Sequence, residues 1–406
     1  MTDTPDQRGA FARLAVLMVT AFIDMLGLLM VLPLLPFYAA ELGAGGFVVG
    51  MLVSSFAVAQ LVSAPLWGRF SDKYGRRPAL LVGLGASAVA YLVFAYADSL
   101  WLLFLSRIVQ GAGGGTVSVV QAYVADATRP EDRAKSLGWL SAATNAGVAV
   151  GPVIGSLLNG AGRSTPGLVA AAFCVINVLF AWRFLGETRT KGSGAGKVRR
   201  SSRSAVWRVV SHSGEPASRL IWIYAVNMGA FQGVTAILAL FLAVRFGVTE
   251  RTIGWVFMYL GTISVVVRAL ALGKLVDRLG EARLSRYGVV LLAGGLGLLP
   301  LTRELWQLAA VVALLPLGTA FTFPCVTALL SRVVAGDERG LYMGVQQTFG
   351  GAARVLFPLL TGWAFDRLGV AWPFVLAAVL ASGTLLLSGH LEATFRPQPA
   401  SPDPVG

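Results

Sequence analysis

The sequence predicts an all-α integral membrane protein, with twelve transmembrane helices in two six-helix bundles. Three observations lead there. The 406 residues are 56% hydrophobic and only 13% charged, where a soluble domain carries about 25% charged residues, and the mean hydropathy is +0.71. Apolar runs long enough to cross a bilayer alternate with short charged turns. The second half of the chain also repeats the landmarks of the first. Gly273, Asp277 and Gly280 follow Gly68, Asp72 and Gly75 at an offset of 205, and Pro358 follows Pro152 at 206. Two anchors at nearly one offset imply two related six-helix halves.

Charge placement sets the orientation. A net charge of +13 would suggest nucleic acid in a soluble protein. Here, with a cytoplasmic N-terminus and twelve crossings, 24 of the 33 Lys and Arg fall in cytoplasmic segments and 5 outside. The other four, Arg107, Arg183, Arg268 and Arg354, lie within spans. The bias places both termini in the cytoplasm, and the expected location is a bacterial-type inner (plasma) membrane, with no nucleic-acid partner and a monomeric state. Cys174 and Cys325 sit in apolar runs and read as small buried hydrophobes. His212 and His390 are isolated, so no metal or cofactor is expected. The first apolar run is too long for a secretory signal and contains Asp24.

In chain order, the expected domains are 1–187 (first bundle), 188–219 (a basic cytoplasmic linker), 220–392 (second bundle) and 393–406 (a cytoplasmic tail). The first span, about residues 11–40, carries Asp24, Gly27, Pro33 and Pro36. Asp24 lies 13 residues beyond Phe11, about 20 Å along a helix and so near mid-bilayer. An acid there costs about 2.5–3.5 kcal/mol and faces a cavity or a partner; a structural acid tied to a neighbouring helix is the alternative.

Next comes a glycine-punctuated hairpin, Gly68-Arg-Phe-Ser-Asp72-Lys-Tyr-Gly75-Arg76-Arg77-Pro78. Its glycines permit a sharp turn, and Arg76 is placed to pair with Asp72, and with Asp126 at the end of the fourth span. In that span, about 100–124, Arg107, Gln110, Gly111, Gly114, Ser118 and Gln121 share one face at helical spacing. Such a face belongs inside the bundle; helix packing alone would explain its glycines but not Arg107. After the charged turn with Arg129, Glu131, Asp132 and Arg133, the fifth span carries Asn145 and the run Gly147-x-x-x-Gly151-Pro152-x-x-Gly155. Gly147 and Gly151 permit close helix contact, and Pro152 removes a backbone donor.

The linker holds Lys191, Lys197, Arg199, Arg200, Arg203 and Arg208, and its segment Val206–Val210 reads as resting on the membrane surface. In the second half Glu281-Ala282 replaces Arg76-Arg77, so that hairpin reads as degraded. Polar marks there are Asn227 and Gln232, Ser264 and Arg268, and Gln346, Gln347 and Arg354. Phe321 and Phe323 on the tenth span suit either packing or an apolar pocket.

The hairpin resembles the signature between the second and third helices of the major facilitator superfamily, with Phe70 and Ser71 at variance. The fourth-span Arg107-x-x-Gln110-Gly111 is similar to the family's fourth-helix motif. The Asp24–Pro36 segment resembles the first helix of drug:proton antiporters, including the tetracycline exporters, and Gly147–Gly155 resembles the antiporter signature, with Ser156 in place of its last glycine. The resemblance implies two bundles rocking about a central site. It also implies roles for Asp24 and Arg107 in proton coupling, and for Asp24, Arg107, Gln110, Asn145, Asn227, Gln232, Phe321, Gln347 and Arg354 in binding a small molecule. Gly68, Asp72, Gly75, Arg76, Arg77, Asp126 and Asp277 would govern conformation. No phosphate-binding loop, catalytic triad or metal cluster is visible in the sequence, which disfavours a primary pump or an enzyme. The leading expectation is proton-coupled export of small amphipathic compounds. A facilitator or proton symporter of a native metabolite, anionic or otherwise, and a lipid-handling flippase on the same fold, are the alternatives.

Overall fold

The structure is a computed structural model and describes residues 5–114, 116–128, 132–187 and 202–388. The linker residues 188–201, the tail 389–406, Arg129, Glu131 and the side chain of Ser118 lie outside the described residues.

Glycine and proline decide where the apolar runs break. The first helix, Pro5–Val31, stops before Pro33 and resumes as Leu35–Glu41 with Pro36 in its first turn. The second and third are Gly46–Tyr74 and Arg76–Ala95, joined at Gly75, whose φ of 105° suits glycine. The fourth is expected as one rod but is two, Leu100–Gly113 and Thr116–Ala127. The glycine run beginning at Gly111 weakens it, each glycine costing about 1 kcal/mol against alanine. The polar face read along that rod is therefore divided: Arg107, Gln110 and Gly111 are buried, while Gln121 is exposed. The fifth and sixth helices are Arg133–Asn159 and Thr165–Phe184.

The second half opens earlier than expected. Pro216, at the first helical position after Glu215, starts the seventh helix, Pro216–Phe246. Before it, the short helix Ser202–Ser211 tucks Ala205 and Val209 into the same buried cluster as Leu220 and Tyr342, so it packs on the second half and keeps Trp207 outward. The eighth helix runs Ile253–Val266, passes through one π turn at Val267–Ala271, and continues as Leu272–Leu279. The rest are Glu281–Leu298, Leu305–Val333, Arg339–Arg367 and Trp372–Ser388.

Among the described residues nine helices are long and apolar enough to cross a membrane unaided. The fourth is divided by its glycines and the twelfth is short. The eleventh carries Arg354 and several polar residues within its length.

Small residues set the packing, because lipid offers apolar helices no hydrophobic incentive to associate. On the fifth helix a Cβ at Gly147 would lie 2.5 Å from Phe22 O, and one at Gly151 2.8 Å from Leu26 O. The third and sixth helices meet at Gly167 and Ala95, the ninth and tenth at Gly288 and Gly318.

The two halves do not meet evenly along their length. One large buried cluster joins Leu34, Tyr38 and Leu52 of the first half to Ile237, Leu242, Leu260 and Phe374 of the second. Toward the end that carries the basic hairpin the cores separate. One cluster there (Leu14, Leu80, Val124, Leu185) belongs to the first half, and another (Leu220, Leu330, Tyr342) to the second. The bundle is joined at one end and parted at the basic end.

Candidate functional site

The parting leaves a cavity of ≈ 540 Å³ between helices one, three, four and five and the eighth helix. The fifth and eighth helices show how it arises. At the joined end Gly254 lies against the carbonyl of Pro152, and a Cβ at Gly261 would lie 3.0 Å from Ala149 Cα. Beyond that contact the helices diverge, and Ser141, Thr144 and Asn145 face Val265, Arg268 and Ala269 across open space.

Asp24 is on the cavity wall, buried, and accepts a hydrogen bond from Thr116 Oγ1 at 3.1 Å. Thr116 is the first residue of the resumed fourth helix, so the glycine break brings its hydroxyl to the acid. Arg107 does not pair with Asp24. Its Nη1 donates to Gln110 Oε1, Gln110 Nε2 donates to Tyr91 OH at 2.6 Å, and its guanidinium lies 4.7 Å from the Phe56 ring. Tyr91 in turn packs on Gly27, one turn beyond Asp24. Arg107 is instead tied into a buried chain Arg107–Gln110–Tyr91 behind the acid. Arg107 Nε has no hydrogen-bond partner, and the ring face supplies part of what solvent no longer gives.

The joined end is built twice, once for each half. Gly50 of the second helix lies against the carbonyl of Pro358 on the eleventh, as Gly254 lies against that of Pro152. Backbone hydrogen bonds seal both seams. Asp366 accepts from Gly46 N at 2.7 Å and Phe47 N at 2.8 Å, capping the second helix. Ser156 Oγ accepts from Gly254 N at 2.9 Å, at the start of the eighth. The serine that departs from the antiporter signature therefore has a task at the seam between halves. Ser54 adds a bond to Val355 O at 2.7 Å.

At the basic end, Arg76 bridges Asp72 at 3.1 Å and Asp126 at 3.0 Å, and also donates to Ser71 at 2.5 Å. The other variance in the hairpin, Ser71, is thus a buried acceptor for Arg76. Glu187, at the end of the first half, accepts from Arg76 N and Arg77 N at 3.0 and 3.1 Å. It fills the space a side chain at Gly75 would need, and Arg77 also donates to Trp182 O. Gly68 borders open space.

The second hairpin, with Asp277 and the left-handed Gly280 (φ 76°), is not degraded in the way the sequence suggested. Glu281 and Arg332 form an ion pair at 2.7 Å. They stand at the repeat positions of Arg76 and Asp126, so the bridge is kept with its signs exchanged.

Of the residues expected to bind substrate, Asp24 and Asn145 line the cavity. The others stand elsewhere. Gln110 is buried in the Arg107 chain. Asn227 is buried and donates to Ile223 O and to Thr384 of the twelfth helix at 2.9 Å, so it joins two helices. Phe321 packs with Leu284 and Cys325. Gln347 reaches Tyr224 OH at 3.5 Å. Gln232 and Arg354 are half-buried and outside the cavity lining. Sequence reading missed Thr20, Thr116, Ser141 and Thr144, although Ser141, Thr144 and Asn145 form a visible polar stripe at helical spacing on an otherwise apolar helix.

Two repeated helical halves, apolar enough for a bilayer and enclosing a polar-edged cavity between them, define a membrane transporter. The chain belongs to the Major Facilitator Superfamily, whose family model matches residues 17–303 and 220–405. It is 30% identical over 353 residues to the tetracycline resistance protein, class G, of Vibrio anguillarum, covering 86% of this chain and 89% of that one. It is 28% identical to multidrug resistance protein 2 of Bacillus subtilis (strain 168), covering 89% and 90%. Among solved structures it superposes on the human organic anion transporter MFSD10 with a TM-score of 0.70 at 23% identity, over 95% of this chain and 100% of that one; that likeness concerns the fold.

Proposed function

We propose that this protein exports small amphipathic compounds in exchange for protons, by alternating access. One observation carries the reading: Asp24 is the one acid among the described residues that line the cavity between the halves. A buried carboxylate there must either hold a proton or face a cation. Proton and cationic substrate therefore compete for one group, which is the physical requirement for exchange. In this reading the basic end is cytoplasmic, and the state described is open to the cytoplasm and closed outside at Gly50–Pro358 and Gly254–Pro152. Arg107 acts on the acid through Gln110 and Tyr91 by fixing the ring over Gly27. Names of relatives, tetracycline and multidrug resistance proteins, support drug-like cargo.

The test is a substrate screen in proteoliposomes with an imposed pH gradient. Cargo added on the open side should release protons with a saturable dependence. Gradient-independent movement of every compound would contradict exchange. It would favour a facilitator of anions, a reading supported by three arginines within the helices read as spans, Arg107, Arg268 and Arg354, none paired with a carboxylate within 4.0 Å among the described residues.

A further inference from the structure

Asp24 comes from the first half; the eighth helix places an opposite charge across from it. Arg268 and Asp24 are the titratable side chains among the described residues that line the cavity. Arg268 is half-buried, its Nε is shut off from solvent without a hydrogen-bond partner, and no carboxylate lies within 4.0 Å. The exchange of protons at Asp24 gives this arginine nothing to do.

Its backbone is also unusual. Arg268 sits in the π turn Val267–Ala271, where Leu272 N–H reaches back five residues to Val267 O. Such turns interrupt an otherwise regular helix and are frequent at functional sites. A guanidinium at bilayer depth costs about 2.5–3.5 kcal/mol on insertion scales. Its planar fork of donors matches a carboxylate or similar oxyanion bidentately. Met25, Leu84 and Val265 add apolar lining to the same cavity, and the volume of ≈ 540 Å³ lies within the usual range of about 300–1,000 Å³ for drug-sized ligands.

We infer that the cargo is a zwitterionic amphipath, with its cationic group at Asp24 and its carboxylate, or an equivalent oxyanion, on Arg268. The inference rests on the reading of Asp24 as the exchanging acid. A cargo with only a cation would leave Arg268 unanswered, and one with only an anion would leave Asp24 no rival for its proton. Because the two charges lie on opposite halves, one dipolar molecule spans the seam that must move.

The experiment uses the full chain in nanodiscs and three probes on one aromatic frame. They are a fluoroquinolone with free amine and carboxylate, its carboxyl methyl ester, and its N-acetyl derivative. Binding is read by tryptophan quenching and proton release by a pH dye. Wild-type protein should bind the zwitterion at least tenfold more tightly than either derivative. Arg268→Gln should erase the advantage over the ester while leaving the ester's own affinity within about twofold, and Arg268→Lys should keep a smaller advantage. The wild-type series needs no variant to fold. Equal affinity of wild type for zwitterion and ester overturns the inference, as does an equal loss for both in Arg268→Gln. If the ester still releases protons in that case, the exporter reading stands without it. Binding of none of the three by folded protein overturns both.

Discussion

Thr116 is the side chain that hydrogen-bonds Asp24 directly, and Asp24→Asn keeps that acceptor while removing the ionisable carboxyl on which the proposed exchange depends. The variant should insert and melt within a few degrees of wild type yet lose pH-gradient-driven transport by at least 100-fold; transport assays beside a thermal melt check both. Arg107 behaves differently, because it reaches the acid only through Gln110 and Tyr91. Arg107→Ala should lower transport at least tenfold beyond any loss of expression, since it strands Gln110 in a buried site at a cost of about 1–3 kcal/mol. Arg107→Lys should restore only part, because an ammonium lacks the planar fork that lies over Phe56. Full activity in the lysine variant would reduce the residue to a simple charge. Asp24 was legible in the sequence because an acid in an apolar run is conspicuous. Its partner was not, because Thr116 reaches it only through a break whose geometry no spacing rule supplies. Asn227 and Phe321 mark the converse: a polar or aromatic residue in a span looks alike whether it faces cargo or a neighbouring helix.

Helix ends and seams carry the conformational signal. Gly50 and Gly254 each meet a proline carbonyl at the joined end, and a methyl group there collides with backbone that cannot swing aside. Alanine at either position should disfavour the joined arrangement by about 1–3 kcal/mol. Cysteine accessibility at Phe47 or Thr252 should rise accordingly. Unchanged accessibility would mean the seam has slack.

At the basic end the exchanged signs of Glu281–Arg332 offer a cleaner test. Glu281→Arg alone should weaken the ninth-to-tenth helix contact by about 1 kcal/mol, as a partly exposed pair permits. Adding Arg332→Asp should restore it, and a double-mutant cycle on thermal stability measures the coupling. The helix breaks at Pro33 and in the glycine run were foreshadowed by composition. The exchanged bridge was not, because a motif read residue by residue registers a swapped pair as a loss. Ser71 and Ser156 were hidden for the same reason: each looks like a departure until its partner, Arg76 or Gly254 N, is in place.

At the scale of the whole molecule, the repeat that was visible at an offset of about 205 becomes two equivalent seams, each a proline carbonyl on a glycine. One buried core crosses the halves at the joined end, and separate cores hold each half at the basic end. The proposed alternating access requires the seams to part as the basic ends close, with the Asp24 cavity between them. The central claim is that the charge on Asp24 selects between these two arrangements. Spin-label distances measured as a function of pH test it most directly, with one pair across the seam ends, near Phe47 and Arg367, and one across the basic ends, near Tyr74 and Lys274. Wild-type protein should show the two distances changing in opposite directions over one titration, and Asp24→Asn should hold the low-pH distribution at every pH. Distances in Asp24→Asn that titrate as in wild type would contradict the account.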